Sequence, residues 1–324
     1  MPVTRRSFIA GSALSGTLLG FGIPRPAYTA THTFGGHAFG STWRITSGTS
    51  VDERHFRPTI EAVLQNVDFL MSPWRDDSVI SGFNRLHSTD WQTLPQEVCH
   101  VVAESLNAAN LTDGAFDPTV GPAVARFGFG PIEGGVGSYR QVAVQGDTIR
   151  KANADLTLDL CGIAKGHALD QIKTLLRREG ITNALIEVGG EVTTLGHHPS
   201  GRPWQVAIEH PGGDTLRAHR IVMPRRLALA SSGHAPQGFR GRIQLSHLID
   251  PTGQRPANND LASVSVLAPT AIEADALATA FAVLGHQRGV ARASELGVSA
   301  LFLAHSENGF TETMTGSFAD HVVA

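Results

Sequence analysis

Cysteine is scarce in this 324-residue chain: Cys99 and Cys161 are the only two. A pair makes neither a disulfide framework nor a metal-ligand cluster, and the sequence leaves open whether the two bond to each other. Net charge is small as well, −3, so the chain lacks the basic footprint of a nucleic-acid-binding protein. Past the N-terminal segment no apolar run is long enough to span a bilayer. Linkers, low-complexity tracts and internal repeats are absent too. What remains is 41% apolar and 17% charged, enough for one large core or two fused halves.

The first thirty residues read as an address rather than as fold. Thr4-Arg5-Arg6-Ser7-Phe8-Ile9 resembles a twin-arginine export signal, and Ile9 to Ile23 is a short, weakly apolar stretch. Cleavage near Ala27 or Ala30 and retention as an anchor are both open. With no lipid-acceptor cysteine following, a lipoprotein is not expected. The expected compartment is periplasmic, reached by a route that carries folded proteins and so suits a chain without disulfides.

From His37 onward helices and strands mix, beginning with a short strand near Phe39 to Thr46. Asp52 is a plausible cap for a helix whose buried face is Phe56, Ile60, Val63, Leu64, Val67 and Leu70. Met71-Ser72-Pro73-Trp74 ends that helix. A short helix through Val79, Ile80 and Phe83 and a longer one from Pro95 to about Thr112 follow. Gly114 to Pro122 holds too many breakers for a helix or central strand, and the glycine-rich Phe127 to Gly137 should be a surface loop. Val142 to Val144 and Thr148 to Arg150 pair as a hairpin across Gly146-Asp147. Farther on, Ala184 to Val188, Val192 to Leu195, Trp204 to Ile208, Leu216 to Val222, Leu227 to Ala230 and Ser263 to Leu267 are short strands. The spacing Thr270-x-x-Glu273 opens a helix to Leu284, stopped by Gly285. A helix from Val290 to Leu296 and strands Ser299 to Leu303 and Phe310 to Thr313 close the chain. Strands grouped between helices predict an α+β fold, a largely antiparallel sheet core flanked by helices.

Chemistry concentrates between Asp159 and Asp170. The alternation from Ala154 to Leu160 predicts a strand, and Ala164, Ala168, Leu169, Ile172, Leu175 and Leu176 predict a helix that stops at Gly180. Gly162 and Gly166 lie at the junction with Asp159 and Lys165. Free N–H groups, a helix start and a lysine suit a phosphate, although glycines that serve only the turn would look the same.

Two further places carry functional side chains. Asp275 and Thr279 lie one turn apart on a helix face shared with Ile272, Ala276 and Val283. Two hard oxygens at that spacing suit Mg²⁺ on phosphates; a helix-start acid stabilised by the dipole is the alternative. In Ser246 to Pro251, His247 and Asp250 stand three apart, a spacing open to a general base with its carboxylate and to a structural turn. His197, His198 and His305 lack such company and read as surface residues.

Taken together these motifs resemble one family, the ApbE-like FAD:protein FMN transferases. The resemblance rests on Met71 to Trp74 with Ser78 and Phe83-Asn84, on Gly114 to Pro122, and on Asp159 to Gly166. Ala184 to Val192, Ser231 to Gly233, Ser246 to Pro251 and Ala268 to Gly285 follow in the family's order. It covers roughly residues 36 to 304, and it makes 31–324 one ApbE-like domain. Departures are Cys161 for a small residue, Glu187 and Glu191 for an expected Asn and Asp, His234 for a common Tyr, and a missing arginine soon after. They bear on substrate preference more than on fold.

The resemblance implies cleavage of FAD at its pyrophosphate and transfer of FMN to a Thr or Ser hydroxyl of a target flavoprotein, membrane-associated or not, with release of AMP. By matching positions Met71, Ala115, Phe116, Asp117, Asp159, Lys165 and Ile249 would line the FAD site. Asp275, Thr279 and the Gly162 carbonyl would hold Mg²⁺. His247 would take the hydroxyl proton, oriented by Asp250. A Mg²⁺-dependent FAD pyrophosphatase and a flavin carrier without chemistry are the alternatives.

Overall fold

The computed structural model describes residues 31–323 except 49–50, 136, 213–216, 234–238, 241–242, 245 and 308. The export segment and His234 lie outside the described residues. Eight strands form one sheet, and their order in space is their order in sequence. These are β1 (His32–Ala38), β2 (Ser41–Ser47), β3 (Ala184–Val188), β4 (Glu191–Leu195), β5 (Ala228–Gly233), β6 (Leu261–Ala268), β7 (Ser299–Ser306) and β8 (Gly309–Thr315). Every neighbouring pair is antiparallel. The expected α+β architecture with an antiparallel core is therefore what the chain adopts.

Five helices interrupt the meander between β2 and β3: α1 (Glu53–Met71), α2 (Val79–Arg85), α3 (Gln96–Leu111), α4 (Gly121–Arg126) and α5 (Ala164–Arg178). The sixth, α6 (Ala271–Glu295), joins β6 to β7. Strand side chains alternate between faces, and the two faces meet different partners. Ala228, Ala230, Val264, Val266, Ala300 and Phe302 enter the main core with residues of α1, α5 and α6. Leu229, Leu267, Leu301 and Leu303 point the other way, into a smaller cluster with Ile208, Val222 and Phe318. That second face is covered by the hairpin Val206–Glu209 and Ala218–Val222. Among the described residues no helix is long and apolar enough to cross a membrane.

Local chemistry explains most element boundaries. Asp52 caps α1 by accepting the Arg54 N–H at 3.1 Å. Thr270 accepts the Glu273 N–H at 3.4 Å at the start of α6. Gly285 breaks α6 with φ 77°, a left-handed value that suits glycine. Asn259 donates there to the Ala282 carbonyl at 3.0 Å. Of the strand expected over Leu216 to Val222, Ala218 to Val222 is strand, and Leu216 lies outside the described residues.

Two expectations change. Strand β1 was not predicted, because Gly35 and Gly36 hide its period; a Cβ on Gly35 would lie 2.3 Å from the Trp43 carbonyl oxygen of β2. Ala154 to Leu160 is not a strand, although Leu156, Leu158 and Leu160 are buried as their alternation required. Instead of a neighbouring strand, single groups satisfy its backbone. The Asn84 side-chain amide both accepts the Leu158 N–H and donates to the Leu158 carbonyl, each at 2.8 Å. Lys151 donates to the Leu156 carbonyl at 3.0 Å, and the Asp159 N–H donates to the Pro118 carbonyl at 2.7 Å. An extended segment with buried polar backbone needs such partners.

Candidate active site

That segment delivers the turn into α5. Asp159 accepts the Cys161 N–H at 2.9 Å, which folds the chain back on itself. Burial holds the Asp159 carboxyl above the usual carboxylate range. Cys161 is exposed in this turn and Cys99 is buried; both are free thiols. Gly162 passes close to two other motifs: a Cβ there would stand 3.1 Å from the Phe116 ring and 3.4 Å from Thr279 Oγ1. Its missing side chain therefore brings the loop after α3, the turn before α5 and the metal-candidate face of α6 to one place.

Gly166 has a different task from the one its sequence context suggests. It lies inside α5, and a Cβ on it would fall 2.3 Å from the Ala271 carbonyl oxygen. The first turns of α5 and α6 cross there, too close for any side chain. Each helix then donates an N-terminal amide to the other. Asp275 of α6 accepts the Gly166 N–H through Oδ2 at 2.9 Å. Asp170 of α5 accepts the Ala271 and Ile272 N–H groups, each at 3.0 Å. Helix-start amides lack intrahelical partners and carry positive partial charge, so a carboxylate suits both ends.

Lys165 lies in the first turn of α5. Its ammonium contacts Glu191 Oε1 and stands 3.7 Å from Asp275 Oδ1. Burial alone would lower the lysine pKa, but the charges of Asp275 and Glu191 outweigh it and hold it above normal. Burial raises the Asp275 carboxyl, against the pull of Lys165 and the Gly166 N–H. For Glu191 burial dominates too, and the carboxyl is pushed up to about 7. Two buried acids share one ammonium here, so a negative charge is left over.

The other predicted site residues fall into two groups. Phe116 touches the turn, as above, and Ala115 precedes it in the loop after α3; both are buried. Met71 is the last residue of α1 and sits in the main core. Asp117 is committed to its own loop, accepting both the Thr119 N–H and hydroxyl and also the Tyr139 N–H at 3.1 Å. Ile249 is buried in a two-stranded ribbon, Ile249–Asp250 with Arg255–Pro256, that packs on α6. His247 is half-buried at the entry to that ribbon. Asp250 accepts the Thr252 N–H at 3.0 Å, so the described contacts give it a turn-capping role.

The stripe expected beside Asp275 is broader than a stripe. Ala271, Ile272, Ala274, Ala276, Leu277 and Ala278 are all buried, so α6 is enclosed on nearly every side at its start. Glu191 is the residue that reading the sequence left without a role. Its signal was present: an acid directly after Gly189-Gly190 and at the head of a short strand of mostly β-branched residues.

Thr279 Oγ1 lies beside Gly162, and Asp275 one turn earlier on α6 offers a carboxylate oxygen, a donor set that suits a hard cation such as Mg²⁺. Asp275 Oδ2 is fixed by an N–H, whereas Oδ1 faces a positive charge. Among the described residues no three His, Cys, Asp or Glu side chains gather to hold a metal unaided. A site of this kind would complete its coordination with substrate phosphates, as Mg²⁺ sites commonly do.

Comparison with known proteins bears on the whole arrangement. Residues 39–302 match the model of the ApbE family. A Vibrio cholerae protein named FAD:protein FMN transferase is 33% identical, over 94% of this chain and 96% of its own length. The solved structure of the flavin transferase ApbE from Vibrio cholerae superposes with a TM-score of 0.81 at 32% identity, covering 90% of this chain and all of that one. The apo flavinyl transferase ApbE of Pseudomonas stutzeri gives 0.79 at 31% identity, over 91% and 97%.

Proposed function

The chain belongs to the ApbE family, and from that premise we propose that it is an FAD:protein FMN transferase. It cleaves the FAD pyrophosphate with Mg²⁺ and passes FMN to a Thr or Ser hydroxyl of a target flavoprotein, releasing AMP. The observation that carries the reading is the meeting of Lys165, Asp275 and Thr279 at the start of α5, on a turn made bare by Gly162. The positive end of that helix suits an anionic diphosphate, and Lys165 adds a mobile positive charge beside it. Asp275 Oδ1, the Thr279 hydroxyl and the Gly162 carbonyl would hold the Mg²⁺. When bound, the ion would supply Lewis-acid charge to the phosphate oxygens.

This chain's residues supply the remaining tasks. The acceptor hydroxyl is not ionised near neutral pH, so a base must take its proton as oxygen bonds to phosphorus. His247 is that base, at the entry of the ribbon beside α6, and its imidazole keeps the proton. The bridging oxygen leaves with the adenosine phosphate as AMP. Phe116 and Ala115, buried beside the turn, would back the place where a flavin ring lies. The test is incubation of the purified chain with FAD, Mg²⁺ and a candidate flavoprotein, followed by a denaturing gel. A fluorescent band on the flavoprotein is the expected result. FMN and AMP without a labelled protein would identify a pyrophosphatase, and intact FAD that co-purifies would identify a carrier.

The paired arginines before a weakly apolar segment support a periplasmic location for this chemistry. Changing Arg5→Lys together with Arg6→Lys should trap the precursor in the cytoplasm. Undiminished periplasmic enzyme from that double variant would point to another route.

A further inference from the structure

Glu191 has no task in the chemistry above, yet it is one of the most completely buried acids in the molecule, 3% exposed. Its Oε1 contacts the Lys165 ammonium, and its Oε2 has no hydrogen-bond partner among the described residues. The Gly189-Gly190 turn ahead of it has φ values of 65° and 106°. A Cβ on Gly189 would stand 3.0 Å from Lys165 Cδ and 3.2 Å from Glu191 Oε2. That turn is bare where the lysine stem runs past it. An Asp at 191, which the family resemblance led us to expect, would be one methylene shorter.

The geometry sets a conflict at Asp275. Its Oδ2 is held by the Gly166 N–H, so Oδ1 is the oxygen left to face a cation, and Lys165 already stands 3.7 Å from it. An ammonium and a divalent ion on one carboxylate oxygen repel each other. The lysine side chain is 29% exposed and can shift, whereas the two acids are 4% and 3% exposed and cannot. We propose that Glu191 is a positioning residue for Lys165: it gives the ammonium an anchor beside Asp275, so that Lys165 yields Oδ1 to a divalent cation and remains close enough to meet the phosphates. In the ligand-free protein Lys165 is then a tethered competitor of the metal, and Glu191 sets how readily it gives way. This inference rests on the metal reading of Asp275.

The experiment is a Mn²⁺ titration of the ligand-free protein, read by the electron paramagnetic resonance of free Mn²⁺. It uses wild type, Glu191→Gln, Lys165→Met and the double variant, each checked for a wild-type circular dichroism spectrum. Removing the competitor should make Lys165→Met bind Mn²⁺ ~5-fold more tightly, and Glu191→Gln, which leaves the ammonium only Asp275, should weaken binding ~10-fold. In the Lys165→Met background the same glutamate change should cost less than ~3-fold, because the residue acts through the lysine. Equal losses in both backgrounds would overturn the proposal and make Glu191 a direct partner of the ion. Unchanged or weaker binding by Lys165→Met would overturn it as well. If wild type binds no Mn²⁺, the proposal still requires Lys165→Met to bind it, and silence there overturns it. Binding that persists in Asp275→Ala would instead sink the metal reading on which the proposal stands.

Discussion

On one side of the α5–α6 crossing, Asp170 accepts two backbone N–H groups and has both oxygens engaged by the start of α6. On the other side, Asp275 accepts one N–H from the start of α5 and turns its second oxygen to an ammonium. Burial raises the carboxyl of both. Residue type, helix position and burial hardly separate them; the partner of the second oxygen does. A backbone amide cannot leave, so Asp170 is architecture. An ammonium on a flexible stem can be exchanged, so Asp275 is available to chemistry. The side that Asp170 faces holds a cavity of about 560 Å³, lined also by His100, Glu104, His167 and Glu273.

Breaking each side separately tests the division. Asp275→Ala should lower FMN transfer by ~10³-fold or more, the several kcal/mol that a bound metal contributes to a phosphoryl transition state. Its melting temperature should stay within a few degrees of wild type, and a near-normal rate at saturating Mg²⁺ would remove Asp275 from the metal. His247→Asn leaves both aspartates in the chain and should cost ~10²-fold in rate with FAD affinity kept. Normal transfer with weak FAD binding would make His247 a substrate contact. Asp170→Ala should do the reverse of Asp275→Ala. Two buried N–H groups lose their acceptors, costing roughly 2–3 kcal/mol and ~5 °C of melting temperature. The rate per folded molecule should change less than threefold; a loss like that of Asp275→Ala would erase the distinction.

The smallest effect sharpens the comparison through the charge left over on the Asp275 side. Glu191 titrates near 7 in the folded chain, above its value of about 4.3 when unfolded. The folded state thus favours the protonated form. The stability this contributes is complete below the unfolded pKa and is lost as pH rises through about 7. Glu191→Gln stays neutral throughout. Between pH 5 and 8 ligand-free wild type should lose ~3 °C more than the variant, measured by differential scanning calorimetry. Parallel curves would show that Glu191 ionises without cost.

Much of this was legible in the sequence for stated physical reasons. The face of α1, its Asp52 cap and the Thr270 cap follow from helical spacing and side-chain acceptors. Asp275 and Thr279 were legible as a pair because one turn separates them. The strand expected over Ala154 to Leu160 failed because alternating leucines report burial, not a partner, and Asn84 takes the neighbour's place. Gly166 could be read as a turn glycine, since nothing local says that another helix passes within 2.3 Å of its absent Cβ. The same limit hid Glu191. Its meaning depends on Lys165, whose spacing of 26 residues follows no local period.

The reciprocal amide bonds at the crossing also impose an order on synthesis. Gly166 and Asp275 are separated by 109 residues, and Asp170 and Ala271 by 101. While a nascent chain has emerged only through β5, the start of α5 lacks both the acceptor for its amide and the helix that fits its glycine. The turn into α5 therefore cannot mature on the ribosome until α6, which begins in the last sixth of the chain, has followed it. A C-terminal truncation before residue 271 should yield not a smaller enzyme but an α5 whose first turn stays open to proteases.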